Sequence, residues 1–444
     1  MKRFKMALLN LEKSDYASIP EITSNNDSVF EPRARPPFAK AFLVAFVAVA
    51  SAIAGMFLER YRKVQMVQHD IIETLEANEQ LNWNFFEMIP FLGKHKEQKI
   101  EKQSNVYGKK FCNNRNYSKR TLKTAYDMPF AALFEDTRGQ KKFEASDVIQ
   151  VGDYIYSICD NSWAISRFHK TLTPFHPDNI QIGNPNRDPL EDSGYEAIFH
   201  NDDTFYVIRE SVPHESFHDD DDDTNEASAK TCYHAVVEEI VLTENNDYTV
   251  TQQCSCQYEF EGTSKGFEGA VGVKDINDDL VILGLCEGNH CSEERKLERG
   301  NGKVIAMKKI EQNSTNSTCL WGTVKEIAIP PSANFLDYSA ISMTADGRVA
   351  ITSQEDSVVW IGQLLGLDET GRLDLESASF DLLQGEVYSF GRSDICTTKY
   401  CNVEGIHFLN DEMLIAVSDK MKSKGKQDFR CMEMDQSVHV FVMP

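Results

Sequence analysis

Val403-Glu404-Gly405-Ile406-His407-Phe408, then Asn410-Asp411-Glu412, then Met413-Leu414-Ile415-Ala416-Val417-Ser418-Asp419: two apolar runs flank a polar turn near the end of the chain. This is the pattern of a β-hairpin. Its opening phrase occurs four more times upstream, at Phe143-Glu144-Ala145-Ser146, Tyr195-Glu196-Ala197-Ile198, Phe267-Glu268-Gly269-Ala270 and Tyr338-Ser339-Ala340-Ile341. Each copy has an aromatic or aliphatic residue, usually a Glu, a small residue and an apolar run. A polar turn, a second apolar run and an acidic or amide residue follow. The fourth copy carries Ser339 where the others carry Glu. A unit repeated in this way decides the architecture before any other signal does.

Further runs extend each hairpin. Trp163–Phe168, Lys303–Ile310, Val358–Leu364 and Ser437–Met443 read as third strands, and Trp321–Ile329 and Leu373–Leu383 as outer, fourth strands. Three or four antiparallel strands per unit, repeated, predict an all-β β-propeller. A sandwich, the main rival, does not explain one motif recurring. The phrases count five blades, with a degenerate sixth as the alternative. Positions 144, 196, 268, 339 and 404 lie further apart than the roughly 40–50 residues of an ordinary blade, so the loops carry insertions. The last repeat has no outer strand of its own. Thr121–Phe134 is expected to supply it and close the ring.

The same phrases resemble the phytase-like β-propellers, the "esterase-like activity of phytase" family. The residues that carry the resemblance are Phe143-Glu144-Ala145-Ser146 with Asp160-Asn161-Ser162, Gly194-Tyr195-Glu196-Ala197-Ile198 and Gly266-Phe267-Glu268-Gly269. To these are added Leu283-Gly284-Leu285-Cys286-Glu287-Gly288-Asn289 and Asn402-Val403-Glu404-Gly405-Ile406 with Val417-Ser418-Asp419. It covers residues 140–444 and implies a propeller with hydrolase chemistry on phosphoesters or carboxylic esters. The basic cluster that would grip phosphate in a phytase is not visible in the sequence.

In an antiparallel hairpin the start of the first strand meets the end of the second. Glu144 should therefore neighbour Asp160, Glu196 neighbour Glu210, Glu268 neighbour Glu287, and Glu404 neighbour Asp419. The fourth repeat offers Ser339 and Gln354 instead. If the first strands are the inner ones, four carboxylate pairs surround the axial channel. Grouped carboxylates repel one another, and a cation relieves that cost. Oxygen ligands at variable spacing suit Ca²⁺ better than Zn²⁺. The alternative is structural, with the same side chains accepting backbone N–H bonds that lock blade to blade.

The chain has 444 residues and a formal net charge of -23, which argues against a nucleic-acid partner. Ala41–Leu58 is an uncharged apolar run flanked by Arg33, Arg35 and Lys40 on one side and Arg60, Arg62 and Lys63 on the other. It reads as a transmembrane signal-anchor helix. A core helix and a signal peptide cleaved near Ala50-Ser51-Ala52 are the alternatives. Residues 1–40 read as a disordered cytosolic tail and residues 59–120 as a helical stalk and linker. The stalk is either a dimerising coiled coil or a single helix packed on its own domain. Residues 121–444 form the propeller ectodomain. All 11 cysteines follow the apolar run, as do the glycosylation sequons at Asn116, Asn313 and Asn316, while Asn26 precedes it. Together they place the C-terminal domain in the lumen of the secretory pathway or outside the cell.

Cys286–Cys291 and Cys396–Cys401 share one spacing and read as loop-stapling disulfides. Cys254 and Cys256 pair elsewhere, with Cys232 or Cys319 as candidates. The run Asp219–Asp223 reads as a solvated insertion. No nucleophile elbow, phosphate loop or dinucleotide fingerprint is present. Two function classes follow. One is a membrane-anchored, calcium-assisted phosphoester or carboxylic-ester hydrolase. The other is a non-enzymatic propeller that binds a protein or glycan.

Overall fold

The computed structural model describes residues 119–215, 231–260, 266–287, 291, 299–310, 319–393, 397–421, 431 and 434–444. The expected tail, the apolar segment 41–58, the stalk up to residue 118, all four sequons, Asp219–Asp223 and Cys396 lie outside the described residues. Among the described residues no helix is long and apolar enough to cross a membrane. Short 3-10 turns occur at Phe130–Leu133 and Pro331–Ala333.

Strand β1 (Lys123–Pro129) precedes the first repeat. Blade one holds β2 (Ala145–Val151), β3 (Tyr154–Cys159), β4 (Ser162–His169) and β5 (Ile180–Ile182). Blade two holds β6 (Tyr195–Asn201), β7 (Thr204–Glu215), β8 (Thr231–Leu242) and β9 (Tyr248–Phe260). Blade three holds β10 (Phe267–Lys274), β11 (Leu280–Cys286), β12 (Lys303–Ile310) and β13 (Leu320–Ala328). Blade four holds β14 (Ala340–Met343), β15 (Arg348–Ser353), β16 (Val358–Leu365), β17 (Ser379–Phe380) and β18 (Glu386–Ser389). Blade five holds β19 (Val403–Phe408), β20 (Met413–Ser418) and β21 (Ser437–Val442). Each blade is an antiparallel meander, and β1 pairs with β21 to complete the fifth.

The first strands of the five blades touch in sequence, and β19 touches β2. That closes a ring of five blades, so the fold is a β-propeller and no sixth blade is needed. The apolar residues collect into five cores, one between each consecutive pair of blades. The core between blades five and one joins Ile415, Val417, Val438 and Val440 to Val148, Ile155 and Phe168. No blade buries its faces alone. The middle strands β3, β11, β15 and β20 are buried on both sides because a blade is sandwiched between two others, whereas the outer strands β1, β9 and β13 carry exposed polar residues.

The glycines after Glu268 and Glu404 have a steric cause. A Cβ on Gly405 would stand 2.7 Å from the Asp147 Cα, and one on Gly269 would stand 2.8 Å from the Ile341 nitrogen. Inner strands of adjacent blades converge toward the axis and leave no room there.

Two expectations require correction. The outer strand foreseen over Leu373–Leu383 forms only at Ser379–Phe380 (β17), and a further strand, β18, also pairs with β16. The carboxylates of Asp368 and Asp374 accept N–H bonds from Thr370, Arg372 and Glu376, which curls the preceding segment into turns. The Cys396–Cys401 pairing fails as well, because Cys401 is bonded to Cys431. The adjacent Tyr400 runs parallel to Met434, which carries Cys401 to that partner. Cys286–Cys291 forms as expected, and Cys254 takes Cys319. Among the described residues Cys159 and Cys256 are buried free thiols.

Blades two and three are joined at their outer edges too. β9 and β13 pair in parallel through Ser255–Leu320 and Cys256–Trp321, beside the Cys254–Cys319 disulfide. An edge strand that would otherwise offer unpaired backbone groups is covered on both sides.

Candidate functional site

Four of the inner strands open with a β-bulge. Tyr195 pairs with Arg209 and Ala197 with Ile208, so Glu196 is the extra residue. Glu268 lies in the same way between Phe267 and Gly269, and Glu404 between Val403 and Gly405. A bulge re-aims a side chain and ends regular pairing. In the first blade Ala145 pairs with Cys159 and Asp147 with Ile158, so the extra residue is Ser146.

Glu144 is therefore not the counterpart of Glu196. Its carbonyl accepts the Asp160 N–H, as the carbonyl of Gly194 accepts that of Glu210 and the carbonyl of Asn402 that of Asp419. The register of the first copy is two residues away from the one its phrase suggests. The five equivalent positions are Ser146, Glu196, Glu268, Ser339 and Glu404. The Glu-small phrase misleads because the bulge is a backbone feature with no residue signature of its own. Glu144 instead forms an ion pair with Lys420, a residue that no motif in the sequence singles out.

The acids do gather. Burial raises Glu196 well above the usual carboxylate range, and the charges of Glu268, Glu210, Asp160 and Glu404 add to the shift. Burial also lifts Asp160 to about 8, with Asp419, Glu144 and Glu210 acting in the same direction and Lys420 opposing them. Seven of the eight candidate carboxylates thus act within one electrostatic group. The eighth, Glu287, holds the matching backbone position in blade three, its N–H bonded to the Gly266 carbonyl.

Three buried oxygens in this region have no hydrogen-bond partner among the described residues: Ser146 Oγ, Asp160 Oδ1 and Gln354 Oε1. Ser146 is 1% exposed. A buried polar atom left unpaired costs on the order of 1–3 kcal/mol unless something else meets it. The donors are all oxygen, the set that a hard cation prefers. Among the described residues, however, no three His, Cys, Asp or Glu side chains lie close enough together to hold a metal ion.

Beyond the acid ring the axis opens into a cavity of about 390 Å³ lined by inner-strand residues from all five blades. Asp147, Gln150, His200, Ser342 and His407 supply its polar side chains. Asp147 joins two blades. Its Oδ2 accepts the Ile198 N–H at 2.9 Å and its Oδ1 accepts the Val148 N–H at 2.8 Å. Burial raises its carboxyl well above the usual range. Burial lowers His407 to about 4, so the imidazole is neutral at physiological pH. Ser339 Oγ donates to the Val403 carbonyl at 3.1 Å, and Ser342 Oγ accepts the Phe408 N–H at 3.2 Å. These contacts lock blade four to blade five. Asp147 and two serines thus fill a blade-locking role of the kind foreseen for the acids.

No protein-family model matches the chain. No curated protein matches it either. Among solved structures, a PQQ-bound aldose sugar dehydrogenase from Streptomyces coelicolor is 9% identical, with a TM-score of 0.36, over 71% of this chain and 98% of that one. A glutaminyl cyclase from Myxococcus xanthus is 8% identical, with a TM-score of 0.33, over 73% and 98%. A virginiamycin B lyase from Staphylococcus aureus, solved as an inactive variant with quinupristin, is 12% identical, with a TM-score of 0.28, over 69% and 83%. At these scores the likeness adds nothing to the strand order described above.

Proposed function

We propose that the protein is a calcium-dependent phosphoester hydrolase whose site lies at the acidic end of the axial channel. One observation carries this reading: buried carboxylates from several blades act on one another beside three oxygens that lack donors among the described residues. That arrangement is costly by itself and is relieved by a cation. The carboxylates of Glu196, Glu268 and Glu404 and the hydroxyl of Ser146 would have to draw together to hold the ion, with Asp160, Glu210, Glu287 and Asp419 around them. Bound calcium would supply Lewis-acid polarisation of a phosphoryl oxygen. The resemblance to phytase-like propellers supports the same class.

Three disulfides among the described residues support an oxidising compartment. With the apolar run Ala41–Leu58, they favour a lumenal or extracellular propeller on a membrane anchor.

A second reading, a non-enzymatic propeller that binds a protein or glycan, is favoured by the lack of a preformed three-ligand cluster among the described residues. Calcium separates the two. In the full-length protein calcium should raise the melting temperature over a chelator control and support turnover of a nitrophenyl phosphate. Glu268→Gln and Glu404→Gln should abolish both responses. A folded wild-type protein with neither response would leave only the binding module.

A further inference from the structure

We infer that the cleft between blades two and three is a binding site for a neutral sugar ring, separate from the axial channel and independent of the hydrolase reading. The cleft has a volume of about 360 Å³ and is lined by Tyr206, Asp279, Leu280, Lys308, Lys309 and Trp321. That volume lies within the range of small-molecule sites. Trp321 is 1% exposed, yet its indole N–H meets no acceptor among the described residues. Native structures seldom leave such a donor unmet, because the lost hydrogen bond is not returned by water.

The charges around the cleft decide the ligand class. Lys308 is paired with Asp275 and Asp279, and Lys309 bonds Glu239 at 2.6 Å and Gln252 at 2.5 Å. Both ammonium groups are already neutralised by carboxylates, so the cleft is not an anion trap. What remains is a mixture of N–H donors, the accepting Asp279 carboxylate and an aromatic wall. One face of Tyr206 stacks on Phe199, with ring centres 4.9 Å apart, and Trp321 stands edge-on to Tyr206 at 6.4 Å. Sugar hydroxyls both donate and accept, and the carbon face of the ring suits an aromatic side chain. A phosphate or carboxylate would meet Asp279, Asp275 and Glu239 as repelling neighbours.

The fold explains why a cleft exists here. Outer strands of a propeller normally splay apart. In this chain β9 and β13 pair at Cys256–Trp321 and hold the two blades together on the outside. Lys309 ties β12 to β8 and β9 at the adjoining level.

Saturation-transfer NMR on the full-length protein tests the assignment, with methyl glycosides of glucose, galactose, mannose and N-acetylglucosamine as probes and inorganic phosphate as competitor. The protein is measured before and after endoglycosidase treatment, because Asn313 and Asn316 lie in the sequence between Lys309 and Trp321. A saturable signal for at least one glycoside in both preparations assigns the cleft to a free or partner-borne sugar. A signal only after treatment assigns it to the chain's own glycan. Trp321→Phe should weaken the signal about tenfold by removing the N–H. Asp279→Asn, at an exposed turn where folding is safe, should weaken it similarly. Absence of signal in both preparations, displacement by phosphate, or an unchanged signal in the folded Asp279→Asn protein would overturn the assignment.

Discussion

The Glu238 carboxylate accepts two hydrogen bonds from the Arg187 guanidinium, at 2.7 and 3.0 Å, across the join between blades one and two. Glu238 is fully buried on β8, while Arg187 comes from the loop that leaves blade one. The Tyr195 hydroxyl and the Gln253 amide also donate to this carboxylate, each at 2.7 Å. Arg187 lies 4.1 Å above the Trp163 ring and Arg209 lies 4.8 Å from it. Removing one partner of a buried pair strands the other charge. Arg187→Ala should therefore destabilise the protein by about 3–5 kcal/mol, measured by urea unfolding. A loss close to zero would mean that Arg209, 3.7 Å from the same carboxylate, suffices with Tyr195 and Gln253 to hold the charge.

The bulge register distinguishes two residues that look interchangeable in sequence. Ser146 occupies the position of Glu196, Glu268 and Glu404, whereas Glu144 does not. Ser146→Ala should weaken the calcium response by about tenfold or more, since even outer-shell changes at metal sites have effects of this size. Glu144→Gln should leave the calcium midpoint nearly unchanged while releasing Lys420 from its ion pair. Calcium titration followed by melting temperature reads both variants. The reverse pattern would restore the register suggested by the phrase.

A pH dependence follows from the buried acids of the acid ring and of blade four. Asp160 is raised from its ordinary 3.8 to about 8, and Asp337 from 3.8 to about 7, each chiefly by burial. Between those limits the folded protein binds more protons than the unfolded chain, so stability falls as pH rises. Glu196 acts in the same direction. His407 acts oppositely: lowered from 6.5 to about 4, it adds stability as pH rises through that lower window. Above 6.5 only the acids remain, and the melting temperature in chelator should drop up to about pH 8. Calcium should flatten the drop, because a bound cation favours the ionised carboxylates that repulsion otherwise disfavours. A melting temperature that rises over this interval in chelator would contradict the burial of these acids.

The strand plan was legible because it lives in composition and period. Lys303–Ile310 appears as β12 with the expected limits, and the ring closes through β1 as the unpaired end of the last repeat implied. Apolar runs separated by Asn, Asp and Gly leave few other solutions. The grouping of the acids followed from hairpin geometry for the same reason. Other features depend on backbone detail or on distant partners. Ser146 could not be preferred over Glu144 without the bulge. Lys420 meets Glu144 only after the ring has closed. Cys431 and the Arg187–Glu238 pair each depend on where a loop returns. The outer strand of blade four is shorter than its run implied because Asp368 and Asp374 bind local N–H groups, and that competition is decided by geometry.

The three disulfides among the described residues offer a ranking that tests how the ring is held. They close loops with sequence separations of 65 for Cys254–Cys319, 30 for Cys401–Cys431 and 5 for Cys286–Cys291. A cross-link stabilises largely by restricting the unfolded chain, more so for longer loops. The expected losses on paired Cys→Ala substitution are about 4, about 3.5 and about 2 kcal/mol respectively. Cys254–Cys319 should exceed its share, because the parallel bridge between β9 and β13 sits beside it and loses its clamp. Urea unfolding of the three double variants gives the order directly. If the variant at Cys286 and Cys291 proved the least stable, restriction of the unfolded chain would not be what sets the order. The short staple would then be acting on the folded state, where the chain runs from Cys286 past Glu287 at the acidic end of the channel.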